Sequence, residues 1–259
     1  MAELDGTIVP QDALKALGLI NYGHFTSMRV ENGHIRGLSH HLDRLTRDCR
    51  VVFAAELDRE RVRDYVRHAL DDVQGSVIVR VTVFDPNLDL GHPGADAHPR
   101  ILVTTRPAGP LPAPPMRVQT VTYQRDLSAV KHVGLFGALH GRRTAQRAGF
   151  DDALFVDTSS FVTEGATWNI GFYNGERVVW PSGNILTGVT MRLLQQVHDR
   201  TINVPVNISD ISEMQAAFAT NTSIGVRPII AIDDVTFPAG LPIFEILRKE
   251  YEEIPAERI

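Results

Sequence analysis

The stretch Arg106-Pro107-Ala108-Gly109-Pro110-Leu111-Pro112-Ala113-Pro114-Pro115 decides how the chain divides. Proline fixes φ and has no backbone N–H, so five prolines in ten residues exclude a helix interior and a central strand. The segment reads as an extended linker. It separates a small domain, residues 1–105, from a larger one, residues 116–259, with residues 106–115 as the linker between them.

Outward from the linker the hydrophobic pattern names the elements. On the N-terminal side, Arg100 to Thr105 and the β-branched run Val77 to Phe84 are predicted strands. Asp58 is predicted to cap a helix whose inner residues are Val62, Tyr65, Val66, Ala69 and Leu70. Ser39 is predicted to cap another, with the stripe Leu38, Leu42, Leu45, Cys49, Val52. On the C-terminal side come a strand over Arg117 to Tyr123 and a helix from about Leu139 to Ala148 stopped by Gly149. Strands follow at Ala153–Asp157 and Phe161–Glu164, then a hairpin turn at Tyr173-Asn174-Gly175. Thr187 is expected to cap a helix reaching about Asp199. Strands Ala217–Thr220 and Pro228–Ile232 and a helix over Leu241–Glu252 close the chain. The class is α+β in two domains.

Composition removes several functions. The 259 residues carry a net charge of -5 without a basic cluster, so the footprint of a nucleic-acid binder is missing. No apolar run approaches the ~20 residues of a membrane helix, and the N-terminus MAELDGTIVP lacks the blocks of a signal peptide. A cytoplasmic protein is expected. Cys49, the single cysteine, lies on an apolar stripe and reads as a packing residue. The histidines form no ligand motif, so no metal site is expected.

Lysine is scarce: Lys15, Lys131 and Lys249 are the whole set. Lys15 and Lys249 have surface contexts. Lys131, between Ala129-Val130 and Val133, has two readings: a loop lysine snorkelling to water, or a desolvated amine poised as a nucleophile. Asn184-Ile-Leu-Thr-Gly-Val-Thr190 enters a helix, and reads either as a cap or as a phosphate cradle. Ala219-Thr-Asn-Thr-Ser-Ile-Gly225 is either a plain loop or a nest of backbone amides. Ser160-Phe-Val-Thr-Glu-Gly-Ala-Thr-Trp-Asn-Ile170 sets Glu164 among apolar residues, where a carboxylate needs a positive partner. One amine, two anion cradles and a buried carboxylate are the parts pyridoxal 5'-phosphate requires: an imine to lysine, an anchored phosphate and a protonated ring nitrogen. Beside that pyridinium, Glu164 would gain roughly 4 kcal/mol at ~4 Å and an effective dielectric of 20, offsetting part of its burial.

In order along the chain, Lys131, Ala148-Gly-Phe-Asp-Asp-Ala153, Thr163-Glu-Gly165 with Asn169, Leu186-Thr-Gly-Val-Thr190 and Phe218-Ala-Thr-Asn-Thr222 resemble the class IV aminotransferases. These are fold-type IV pyridoxal phosphate enzymes, among them branched-chain and D-amino-acid aminotransferases and aminodeoxychorismate lyase. His41-Leu-Asp-Arg-Leu45 is similar to the family's small-domain motif. The resemblance implies a small α/β domain plus a larger pseudo-barrel domain, amino-acid and 2-oxo-acid substrates, and a homodimer. It implies Lys131 as Schiff-base lysine and proton carrier, Glu164 on the pyridine nitrogen, and Asn169 and Gly188 among the cofactor-binding residues. Arg44, Val189, Thr190 and Thr222 would surround the phosphate, and Ser223, through its backbone, would lie near the substrate carboxylate. Arg80 matches a position that faces substrate in some members, although on a half-buried strand it also reads as an outward charge.

Three positions depart from the family pattern. Phe136 stands where several members have a Tyr, Met191 stands where an Arg follows the Gly-Ile-Thr turn, and Asn21 to Met28 replaces the common N-terminal motif. Amino transfer is the leading expectation. A lyase that releases pyruvate and a non-catalytic ligand-binding homologue are the alternatives.

Overall fold

In the computed structural model, which describes residues 1–71 and 73–259, the β-branched run ending at Phe84 lies at the centre of a sheet. The chain folds into two compact units. Met1–Ala108, Val130–Gly134 and Ala256–Ile259 make up the first, and Gly109–Ala129 with Leu135–Pro255 the second.

The first unit contains β1 (Ala2–Leu4), β2 (Thr7–Ile8), α1 (Gln11–Ile20), β3 (His24–Glu31), β4 (His34–Arg36), α2 (Leu38–Phe53), α3 (Arg59–His68), β5 (Ser76–Phe84) and β6 (Arg100–Pro107). Its strands form one antiparallel sheet in the order C-terminal strand Ala256–Arg258, β4, β3, β5, β6, β1, β2 among the described residues. Of the predicted stripe of α2, Leu38, Leu42, Leu45 and Cys49 are buried with Met28, Val79, Val81 and Val103 while Val52 is partly buried, and Cys49 is fully enclosed, as a small apolar residue in a packed stripe should be. Asp58 caps α3 as expected, accepting from the N–H groups of Glu60 and Arg61 at 2.9 and 3.3 Å. Ser39 does not cap α2. Gly37, at φ 69°, occupies that place, a left-handed conformation that glycine reaches without cost. Ser39 sits in the first turn, where its N–H donates to Glu257 Oε1 at 3.1 Å. β6 runs through Pro107, into the proline-rich stretch.

The second unit contains β7 (Met116–Thr122), α4 (Phe136–Arg147), β8 (Asp152–Val156), β9 (Val162–Gly165), β10 (Asn169–Tyr173), β11 (Val178–Pro181), α5 (Val189–Val197), β12 (Thr201–Val204), β13 (Ala216–Asn221), β14 (Gly225–Ile232), β15 (Val235–Thr236) and α6 (Pro242–Glu253). The strands pair in the order β12, β11, β10, β13, β14, β7, β8, β9, with β15 on β14. β9, the last of that path, also packs beside β10 and β11, so the sheet curls on itself as a pseudo-barrel. Trp168, Phe172, Val118, Leu154 and Ile229 fill one side. Trp180, Phe218, Leu194, Phe244 and Leu247 fill another, beneath α5 and α6. Gly171 permits this packing, since a Cβ there would meet the Phe218 ring at 2.3 Å. In the hairpin joining β10 to β11 the last ladder pair is Tyr173 with Val178; beyond it Asn174 N–H donates to Arg177 O at 3.2 Å, and Asn174 Oδ1 accepts from the N–H groups of Glu176 and Arg177.

Candidate active site

In the second unit the predicted residues are linked through hydrogen bonds at the ends of the strands. Glu164, at the end of β9, is nearly dry, and its Oε2 accepts from the N–H of Leu186 at 3.4 Å. Leu186 O accepts from Asn169 Nδ2 at 2.7 Å, and Asn169 Oδ1 accepts from the N–H of Gly188 at 3.1 Å. Asn169 opens β10 directly opposite Thr220 on β13. One asparagine therefore holds the loop before α5 by both its donor and its acceptor. Gly188 is required there, because an added Cβ would lie 2.3 Å from Asn169 Oδ1.

The cap of α5 is Gly188, and no side chain accepts from the first-turn amides. Thr187, expected as the cap, is exposed and takes no part. Thr190, in the first turn, is buried, and its hydroxyl and that of Thr220 have no hydrogen-bond partner among the described residues. Buried hydroxyls without partners cost free energy unless something completes them. An uncapped helix N-terminus beside two such donors fits a phosphate by charge and by donor set.

The turn Thr222–Ile224 joins β13 to β14 and is half-buried. The sequence allows either a plain loop or a nest of backbone amides here. The N–H groups of Ser223 and Ile224 both donate to Asn221 Oδ1, at 2.8 and 3.0 Å. Asn221 is held in turn, its Nδ2 donating to Thr167 O at 3.0 Å. The short carboxamide folds back on its own turn, as asparagine does where free amides lie two residues ahead.

The positive partner of Glu164 within the protein is Arg125, whose Nε donates to Oε1 at 2.9 Å. Sequence reading missed this residue. Tyr-Gln-Arg-Asp-Leu-Ser resembles a solvated loop, and the single clue was the need of a buried carboxylate for a cation. Tyr123, in the same neighbourhood, has its hydroxyl pKa raised, by burial first, with Arg125 opposing. Phe136 is 83% exposed and stacks on His140 at 5.9 Å.

In the first unit, Lys131 lies in a short bridge against β3. Phe25 N–H donates to Lys131 O at 2.8 Å, Val133 N–H donates to Gly23 O at 2.9 Å, and His24 pairs with His132. The Lys131 ammonium stands 5.0 Å from the centre of the Phe25 ring, and the Arg80 guanidinium stands 3.6 Å from the same centre. Arg80 Nε donates to Thr82 Oγ1 at 3.2 Å, and burial lowers the pKa of its guanidinium from the ordinary value. Arg44 is buried rather than a surface residue of α2, and its Nη2 reaches Thr26 Oγ1 and, at 3.3 Å, His41 Nδ1. Burial first, then Arg44 and Lys131, push the pKa of His41 well below the ordinary imidazole value. His24 is fully enclosed, with its pKa lowered to about 4 mainly by burial, and neither ring nitrogen has a partner among the described residues.

Comparison with known proteins extends these observations. The family profile described as amino-transferase class IV matches residues 23–232. A Methanocaldococcus jannaschii protein named a putative branched-chain-amino-acid aminotransferase is 26% identical over 229 residues, spanning 82% of this chain and 78% of the relative. Among solved structures, the branched-chain aminotransferase of Thermoproteus uzoniensis with norvaline superposes with a TM-score of 0.85 at 18% identity, over 97% of this chain and 93% of that one. An aminotransferase from Mycobacterium tuberculosis, described as hypothetical and solved in a PLP-bound form, superposes with a TM-score of 0.83 at 17% identity, over 97% of each chain. The profile's range includes Lys131, Glu164, the start of α5 and the turn after β13, and the chain belongs to the class IV amino-transferases, enzymes whose cofactor is pyridoxal 5'-phosphate.

Proposed function

We propose that the chain moves the amino group of an amino acid to a 2-oxo acid, with Lys131 as the residue that tethers the cofactor and carries the proton. One observation carries the reading: the hydrogen-bonded series Arg125, Glu164, Leu186, Asn169, Gly188, which ends at an uncapped helix beside the unsatisfied hydroxyls of Thr190 and Thr220. That donor set suits a phosphate at one end and a protonated ring nitrogen at the other.

The residue roles follow from chemistry. Thr190, with the backbone amides of Val189 and Thr190 after Gly188, binds phosphate oxygens, and Thr222 and Arg44 are assigned to the same anion. Asn169 keeps that loop in place. Glu164 holds a proton on the ring nitrogen, and Arg125 is the cation that compensates the buried carboxylate. When bound, the cofactor supplies the electron sink that makes removal of the substrate's Cα proton feasible. The Lys131 amine would take that proton from the substrate's Cα and give it up to the cofactor rather than back to Cα, acting as a general base and then a general acid at one nitrogen. Phe25 gives the amine an apolar wall. Arg80, stacked on the same ring, is assigned to a substrate carboxylate.

The names of the relatives support an amino donor with an apolar, branched side chain. A homodimer is part of the same reading and is checked by the solution mass. The role of Lys131 is tested with Lys131→Ala: the purified variant loses the visible absorbance of the loaded enzyme together with turnover. Retention of both contradicts the assignment.

A further inference from the structure

Asp48, one turn beyond Arg44 on α2, has no part in the roles above, and its carboxylate is completely buried. A buried charge persists only where its lone pairs are filled. Oδ1 accepts from Arg47 Nε at 2.9 Å and Nη2 at 2.6 Å. Oδ2 accepts from the backbone N–H of Lys131, 83 residues further along the chain, at 3.0 Å.

That contact is unusual for a strand-like segment. The carbonyl of Lys131 is held by β3, through Phe25 N–H. Its N–H, which a neighbouring strand's carbonyl would normally accept, is held instead by a carboxylate from a helix. A charged acceptor makes a shorter and stronger hydrogen bond than a carbonyl does. The two ends of the Lys131 backbone are thereby fixed by two different elements, and the starting point of its side chain is set relative to Phe25. Arg47 is 49% exposed, so its guanidinium keeps contact with water when Asp48 is changed.

We propose that Asp48 is a positioning residue for the reaction, its carboxylate fixing the Lys131 backbone so that the amine approaches the substrate's Cα proton in one geometry. This rests on the reading of Lys131 as the residue that tethers the cofactor. Misplacing a reacting group by about 1 Å costs on the order of 10²-fold in rate.

The test uses Asp48→Ala, which removes the acceptor, and Asp48→Asn, which keeps an acceptor oxygen and nearly the same shape. In the loaded enzyme, kcat is expected to fall about 10²-fold for Asp48→Ala and about tenfold for Asp48→Asn, with KM for the amino donor within about twofold of the parent. In the cofactor-free protein, amide exchange at Lys131 is expected to speed at least about tenfold in Asp48→Ala, while amides of β13 exchange at the parent rate. Borohydride reduction and peptide mapping of the loaded parent then separate the two ideas. Cofactor mapped to a residue other than Lys131 overturns the function reading and the proposal with it. Cofactor on Lys131, with Asp48→Ala showing parent kcat, parent exchange at Lys131, or a rise in KM alone, overturns the role of Asp48 and leaves the function reading standing. Should Asp48→Ala fail to fold, the kcat and exchange of Asp48→Asn decide: parent values for both overturn the proposal.

Discussion

Nε of Arg125 lies 2.9 Å from Oε1 of Glu164, and the two side chains are 8% and 9% exposed. Removing one member of so dry a pair leaves the other charge without compensation, which costs roughly 3–5 kcal/mol. Arg125→Met is therefore expected to lower unfolding stability by about that amount. Adding Glu164→Gln should restore most of it, since the double variant buries no net charge. Denaturant unfolding of the three proteins without cofactor measures both effects, and equal stability of Arg125→Met and the parent contradicts them.

Gly188→Ala places a methyl group 2.3 Å from Asn169 Oδ1. Either Asn169 or the first turn of α5 must move, and overpacking of this kind costs roughly 1–3 kcal/mol. Because the displaced groups are those assigned to the phosphate, the expected result is a cofactor Kd raised about tenfold or more. Fluorescence titration of the cofactor-free protein reads it directly.

His24 gives the first unit a defined acid response. Unfolded, the imidazole binds a proton below about 6.5; folded, burial holds it neutral down to about 4. The unfolded state thus binds more protons between those values, so stability falls as pH drops through the window and the loss is complete below about 4. The span corresponds to roughly 3 kcal/mol. His24→Leu should lack this component, and the difference in stability between parent and variant should change by that amount between pH 7 and pH 4. A constant difference across that range contradicts the assignment.

Arg80→Gln keeps a polar side chain on β5 but removes the charge stacked on Phe25. The expected outcome is a KM for a dicarboxylic 2-oxo acid raised about tenfold, with a smaller change for a monocarboxylic apolar acceptor, because a charge-assisted hydrogen bond contributes roughly 1.5–3 kcal/mol. Steady-state kinetics with the two acceptors separate this from a general loss of activity, which would lower kcat for both.

The elements most legible in the sequence are those with a strong local pattern. The stripe of α2, the β-branched β5 and the Asp58 cap follow from side-chain spacing alone. Capping was less legible where a glycine supplied the geometry: Ser39 and Thr187 have the right chemistry, yet Gly37 and Gly188 hold the positions. The first strands were hidden for another reason. β3, His-Phe-Thr-Ser-Met-Arg-Val-Glu, buries polar and apolar residues together, so alternation could not reveal it. Lys131 and Glu164 stood out by scarcity and by burial context, whereas Arg125 and Asp48 act through contacts 39 and 83 residues distant in sequence. Such pairings become visible only when the fold brings the segments together.

The most direct test of amino transfer is to follow a labelled nitrogen. Purified loaded enzyme is given a ¹⁵N-labelled branched-chain amino acid and an unlabelled 2-oxo acid, and the products are weighed by mass spectrometry. The account predicts ¹⁵N in the new amino acid, one for each donor converted to its 2-oxo acid, and none with Lys131→Ala. Donor consumed with the label released as ammonia or left on the protein, or full transfer by Lys131→Ala, would contradict it.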